Sequence, residues 1–147
     1  METYYRAWAA PRAAKKKGTA SAQPATRPYI IVVVDDEPDF CTVVGELLKS
    51  QNLVVHAANS ALEGLSLIEL VRPDLVLTDV MMPQVDGLEL IRRLRADPVL
   101  GCVPTIVVSA LVKQEEKEAA LRAGADAFIP KPFSVQQLRA AIAQYLH

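Results

Sequence analysis

Residues 29–38 read Tyr-Ile-Ile-Val-Val-Val-Asp-Asp-Glu-Pro. The unbroken apolar run suits a strand buried on both faces, as in a parallel sheet covered by helices. Two carboxylates follow it directly, and Pro38 stands where a helix can begin. Phe40, Val43, Val44, Leu47 and Leu48 then recur at helical spacing. Strand, acidic turn and helix make one βα unit, and the rest of the chain repeats it.

Leu53-Val54-Val55 reads as a second strand. Ser60 and Glu63 form a capping box that opens a helix carrying Leu62, Leu65, Leu67 and Ile68. Pro73 ends that helix, and Leu75–Thr78 is a third strand. Gly87–Ala96 is a helix with Leu88, Ile91 and Leu94 inward, and Thr105–Val108 is a fourth strand. Lys113–Ala123 is a helix with Gly124 placed for a left-handed cap. Ala127–Ile129 is a fifth strand, and Ser134 caps a last helix with Val135, Leu138, Ile142 and Tyr145 on one face. Five strands alternating with five helices predict an α/β protein, a doubly wound parallel sheet. Right-handed crossovers favour the flavodoxin-like (βα)5 strand order 2-1-3-4-5.

The chain has 147 residues, of which 51% are hydrophobic, enough for one domain with a buried core. Its net charge of −1 hides an asymmetry. Residues 1–28 hold Arg6, Arg12, Lys15, Lys16, Lys17 and Arg27 against Glu2, a charge of +5, which leaves −6 for residues 29–147. Pro11, Pro24 and Pro28 interrupt the first segment, so residues 1–28 read as a flexible basic extension and residues 29–147 as the domain. The acidic body argues against direct nucleic-acid binding. No apolar run approaches the roughly eighteen residues of a membrane helix, and no signal-like segment opens the chain. A cytoplasmic protein without a membrane span is expected. Two cysteines and two histidines do not make the usual four-ligand zinc site, and Cys41 and Cys102 are expected as buried free thiols.

In such sheets chemistry gathers at the carboxyl ends of the strands. Asp35 and Asp36 follow the first strand, Asp79 the third, Ser109 ends the fourth, and Lys131 follows the fifth. Convergent carboxylates repel one another unless a positive charge is bound, and hard oxygen donors suit Mg²⁺. With Lys131 and Ser109 added, the cleft is prepared for a phosphoryl group. Any one of these residues is ordinary in a loop. Together, at four separate strand ends, they define a candidate site.

Residues 29–147 resemble the receiver domain of two-component response regulators, of the stand-alone type. The matching pieces are Val-Val-Asp-Asp-Glu-Pro at 33–38, Leu-Thr-Asp-Val-Met-Met-Pro at 77–83 with Asp86-Gly87, Ser109-Ala110 and Lys131-Pro132-Phe133. The resemblance implies a phosphoacceptor switch, not an enzyme in its own right. A sensor histidine kinase or phosphotransfer protein would phosphorylate Asp79. Mg²⁺ would be held by Asp35, Asp36, Asp79 and the backbone carbonyl of Met81. Ser109 and Lys131 would contact phosphoryl oxygens, the Lys131–Pro132 bond would be cis, and Ser109 and Phe128 would form the switch. A downstream protein would read the 110–147 face.

Three positions that carry charge in many dimerising receivers are Ala127, Gln137 and Ala141, so a monomer or weak dimer is expected. Met81 and Leu111 replace polar groups that orient water in fast-hydrolysing relatives, which predicts a long-lived acyl phosphate. The chain ends soon after the last helix, with no output domain expected within it. A phosphorylation-independent binding module on the same fold is the alternative. A flavin carrier is disfavoured by Asp35-Asp36-Glu37 after the first strand, and an aspartyl phosphatase by the lack of an Asp-x-Asp pair at Asp79.

Overall fold

The computed structural model describes residues 27–49, 52–82, 85–110 and 113–146. The strands are β1 (Tyr29–Val34), β2 (Leu53–Ala58), β3 (Leu75–Thr78), β4 (Thr105–Ser109) and β5 (Ala127–Pro130). The helices are α1 (Pro38–Leu47), α2 (Ala61–Val71), α3 (Gly87–Ala96), α4 (Gln114–Ala123) and α5 (Val135–Ala143). All strand pairs are parallel and the order is β2-β1-β3-β4-β5, the flavodoxin-like (βα)5 arrangement expected from the alternation.

The β-branched run is explained by two cores rather than one. Ile31 and Val33 of β1 point to the layer holding Val44, Leu48, Leu138, Ile142 and Tyr145 of α1, α5 and the segments that follow them. Val32 and Val34 point to the opposite layer, with Ile68, Leu90, Ile91, Leu94 and Ala120 of α2, α3 and α4. Alternate residues of a strand face opposite sides, so a sheet covered on both faces needs apolar residues at every position.

Several local expectations shift. The second strand runs to Ala58, three residues further than its apolar core, because β1 pairs with it through Val34. Ser60 accepts the Glu63 N–H at 3.1 Å, but the Glu63 carboxylate returns to the N–H of Asn59 at 2.6 Å, one residue before the cap. The end of α2 is made by Arg72, in a left-handed conformation with φ 49°, ahead of Pro73. Val43 and Leu62 are about half exposed, and Leu90 is fully buried beside Leu88, which is partly buried against the same layer. Cys41 is buried as expected. Cys102 is exposed, because it lies in the turn before β4 rather than in a packed element. Gly124 caps α4 with φ 119°, and Ser134 and Gln137 form a reciprocal capping box at α5.

Of the N-terminal extension only Arg27 and Pro28 lie within the described residues. Arg27 makes a two-pronged ion pair with Asp74 at 2.9 and 3.0 Å, which ties the entry of β1 to the start of β3. The bases of Lys15–Lys17 and the remainder of that segment lie outside the described residues.

Candidate functional site

Strand register brings the site together. Val34 pairs with Thr78, so Asp35 and Asp79 leave the sheet side by side. The backbone is stitched at each exit. Asp35 N donates to Ala58 O at 3.0 Å, Asp79 N to Val34 O at 3.0 Å, and Lys131 N to Ser109 O at 2.8 Å. Each site residue is therefore held by the last turn of ladder bonding from its neighbour, which makes the cleft a rigid extension of the sheet.

The side chains converge on Lys131. Its ammonium donates to Asp35 Oδ2 at 2.9 Å and to Asp79 Oδ2 at 3.2 Å. The other oxygen of each carboxylate is held by backbone. Asp35 Oδ1 accepts from Glu37 N at 3.0 Å, and Asp79 Oδ1 from Val80 N at 2.7 Å and Met81 N at 3.2 Å. Asp35 is 1% exposed and Asp79 8%. Burial pushes the Asp35 carboxyl above its ordinary value, against the opposing pull of Lys131 and the Glu37 N–H. Burial also works to lower the Lys131 ammonium, but its bond to Asp35 and the charges of Asp79 and Asp35 outweigh this, and its pKa lies above the ordinary value.

Asp36 is exposed and stands outside this cluster. Among the described residues no three acidic, histidine or cysteine side chains are gathered closely enough to hold a metal ion. The three expected carboxylates thus resolve into two bridged by Lys131 and a third at the rim. The donor chemistry still fits a hard cation. Two buried carboxylates share a single ammonium, which leaves one negative charge in excess at the cleft.

Ser109 ends β4 fully buried, and its carbonyl receives Lys131 N. Phe128, expected to turn between solvent and interior, lies inside at 1% exposure, with Lys117 Nζ 5.9 Å from its ring centroid. The Lys131–Pro132 peptide is cis, as the resemblance implied. Met81 is 59% exposed at the cleft mouth, while Leu111 lies outside the described residues. Ala127 and Ala141 are buried in the core, and Gln137 Oε1 accepts from Ser134 N, so two of these three uncharged positions do not reach the surface.

Three contributors escaped the sequence reading. Asn59 Nδ2 donates to Asp35 O at 3.0 Å, and the Cys41 thiol to the same carbonyl at 3.6 Å, fixing the turn that presents Asp35. Burial, followed by the charge of Asp35, pushes that thiol's pKa up, so it stays a neutral donor. Gly87 lies so close to the Asp79 carbonyl and Val80 Cα that no Cβ fits there. The motif Asp86-Gly87 held a signal for the last; nothing local marks Asn59 or Cys41.

Comparison with known proteins agrees with this architecture. Residues 31–143 match the family described as the response regulator receiver domain. An uncharacterized 14.6 kDa protein of Leptolyngbya boryana is 38% identical over 115 residues, covering 78% of this chain and 88% of that protein. The response regulator MprA of a Mycobacterium species is 40% identical over 113 residues, 77% of this chain but 48% of its own length, so the chain spans about half of that relative. The receiver domain of a Francisella response regulator superposes with a TM-score of 0.72 at 29% identity, over 80% of this chain and 96% of that one. A parallel five-stranded sheet with its acids and lysine at these strand ends, matched over most of its length, makes this chain a member of the response regulator receiver domain family.

Proposed function

We propose that this chain is a phosphoacceptor switch in which Asp79 takes a phosphoryl group from a sensor histidine kinase or phosphotransfer protein. The observation that carries this reading is the bridge from Lys131 to both Asp35 and Asp79. It places a fixed positive charge beside a buried carboxylate whose second oxygen is already fastened by two backbone N–H groups. Asp79 Oδ2, which among the described residues accepts only from Lys131, attacks the phosphorus of a phosphohistidine. The new P–O bond forms as the P–N bond breaks, and the bond's electron pair leaves on the imidazole nitrogen, which takes up a proton from water. Lys131 then exchanges Asp79 for a phosphoryl oxygen, and the Ser109 hydroxyl serves another. Asp35, Asp79 and the Met81 carbonyl, with Asp36 turned in from its exposed position, would hold Mg²⁺, which when bound supplies positive charge at the phosphoryl oxygens.

The added group carries roughly −1.5 to −2 charge at neutral pH. Its contacts with Lys131 and Ser109 exist in one state only, and that difference biases the β4–β5 region, including Phe128, toward the arrangement that makes them. Phe128 lies inward while Lys131 is still bonded to Asp79. The downstream protein reads the face built from residues 110–147. With Ala127 and Ala141 buried and Gln137 uncharged, that face has no charge-matched copy of itself to pair with at these positions, which favours another protein as the reader.

Intact-mass measurement after incubation with Mg²⁺ and acetyl phosphate, beside Asp79→Asn, tests the reading. A gain of one phosphoryl group in the parent chain and none in the variant supports it. If neither acetyl phosphate nor a phosphorylated kinase transfers, a phosphorylation-independent binding module replaces it.

A further inference from the structure

Lysine has four rotatable bonds, and two carboxylates hold the head of Lys131: Asp35 at 2.9 Å and Asp79 at 3.2 Å. Conversion of Asp79 to an acyl phosphate takes one of them away. A third neighbour survives that step, and it is an aromatic ring. Lys131 Nζ stands over Phe40, 4.1 Å from the ring centroid. Phe40 is braced in turn by Phe133, whose ring meets it edge to face at 6.1 Å and 88°. Both rings are part-buried against the core layer beneath α1 and α5.

We propose that Phe40 is a positioning residue for phosphoryl transfer, its π face keeping the Lys131 ammonium at the cleft while the lysine trades Asp79 for a phosphoryl oxygen. The inference rests on the phosphoacceptor reading above and adds a residue to it. A ring suits this task better than the alternatives. It attracts the cation through its quadrupole without hydrogen-bonding to it, so the ammonium's N–H groups stay available to oxygen. A carboxylate there would hold the lysine more strongly but would repel the incoming phosphoryl group. A leucine would fill the space and exert no pull. Lys131 is 18% exposed, so water weakens the attraction only in part.

The test uses the full chain with phenylalanines bearing one, two or three ring fluorines at position 40, beside Phe40→Leu and Phe40→Tyr. Fluorination drains the face of negative potential and leaves the shape nearly unchanged. The phosphorylation rate with acetyl phosphate and Mg²⁺ is expected to fall stepwise with fluorine number, to about one fifth for the trifluoro ring. Phe40→Leu should match the trifluoro variant, and Phe40→Tyr should stay within about twofold of the parent. A flat fluorine series overturns the proposal, as does a rate that tracks the urea midpoint of each variant instead of fluorine number. The NMR resonances of the Lys131 ε-methylene should lie upfield in the parent chain and return downfield in Phe40→Leu, and their failure to do so also overturns it. If the parent takes no phosphoryl group at all, the phosphoacceptor reading falls and this inference falls with it. A phosphorylated parent with a flat series removes Phe40 alone.

Discussion

The Lys131 ammonium donates to the Asp35 carboxylate at 2.9 Å across a sequence separation of 96 residues. The pair joins the end of β1 to the end of β5, the two exits farthest apart in sequence at this end of the sheet. Buried charges of this kind are poor sources of net stability, because desolvation offsets most of their attraction. Their placement at the strand ends answers to chemistry. Three consequences follow from the way the fold holds this cleft, and a fourth from a charge network at its other end.

Asp35→Asn should raise the melting temperature in EDTA at pH 7. Burial lifts the Asp35 carboxyl above its ordinary value, so the folded state holds that proton more tightly than the unfolded state. Stability from this group is greatest below about pH 4 and falls as pH rises through the folded value. The asparagine can keep the bond from Glu37 N, and Lys131 keeps Asp79. Its advantage over the parent should therefore vanish when both are melted near pH 3.

Gly87→Ala should damage both fold and site. An added Cβ meets the Asp79 carbonyl and Val80 Cα, so the loop that presents Asp79 must move away from the start of α3. A cost of about 1–3 kcal/mol is expected from urea unfolding, typical of overpacking against backbone. The phosphorylation rate should fall as well, since Val80 N and Met81 N would no longer be held in line with Asp79 Oδ1.

Met81→Asn combined with Leu111→Glu should shorten the life of the acyl phosphate. Met81 is more than half exposed at the cleft mouth, where an apolar side chain offers nothing to orient a water. Loss of the phosphoryl mass over time, compared between the parent and the double variant, measures this directly. Equal rates would show that these side chains do not shield it.

Arg95→Ala should be among the most costly substitutions away from the site. The Arg95 guanidinium donates to the carbonyls of Gly124, Gly101 and Val103 and to Asp126 Oδ2 at 2.8 Å. Asp126 is 2% exposed and also accepts Thr105 N, so it fixes the start of β4. Removing the arginine strands a buried carboxylate and should cost about 3–5 kcal/mol in urea unfolding. Arg95→Lys should recover only part of this, because one ammonium does not match the planar fork.

Much of this was legible in the chain before any coordinates. The run from Ile30 to Val34 announced a doubly covered strand, and the residues after each strand announced the cleft. What misled was finer. Pro73 conceals that Arg72 makes the turn, and composition does not distinguish a thiol in a turn, as Cys102 is, from one in a packed strand. Val43 and Leu62 fit the helical period yet face outward, since a helix beside a sheet buries only a narrow stripe and the period alone does not say where that stripe is centred.

Sequence alone determined the alternation of strands and helices and the chemical types at the strand ends. Those follow from backbone geometry and side-chain periodicity, which act over a few residues. Only the tertiary structure decided that Lys131 spans Asp35 and Asp79 while Asp36 stays at the rim, that Phe128 is already inside, and that Phe40 stands over the lysine. Each of these is a contact between segments distant in the chain. Its energy depends on burial and on distances of a few ångströms, and neither exists until the sheet has brought the strand ends together.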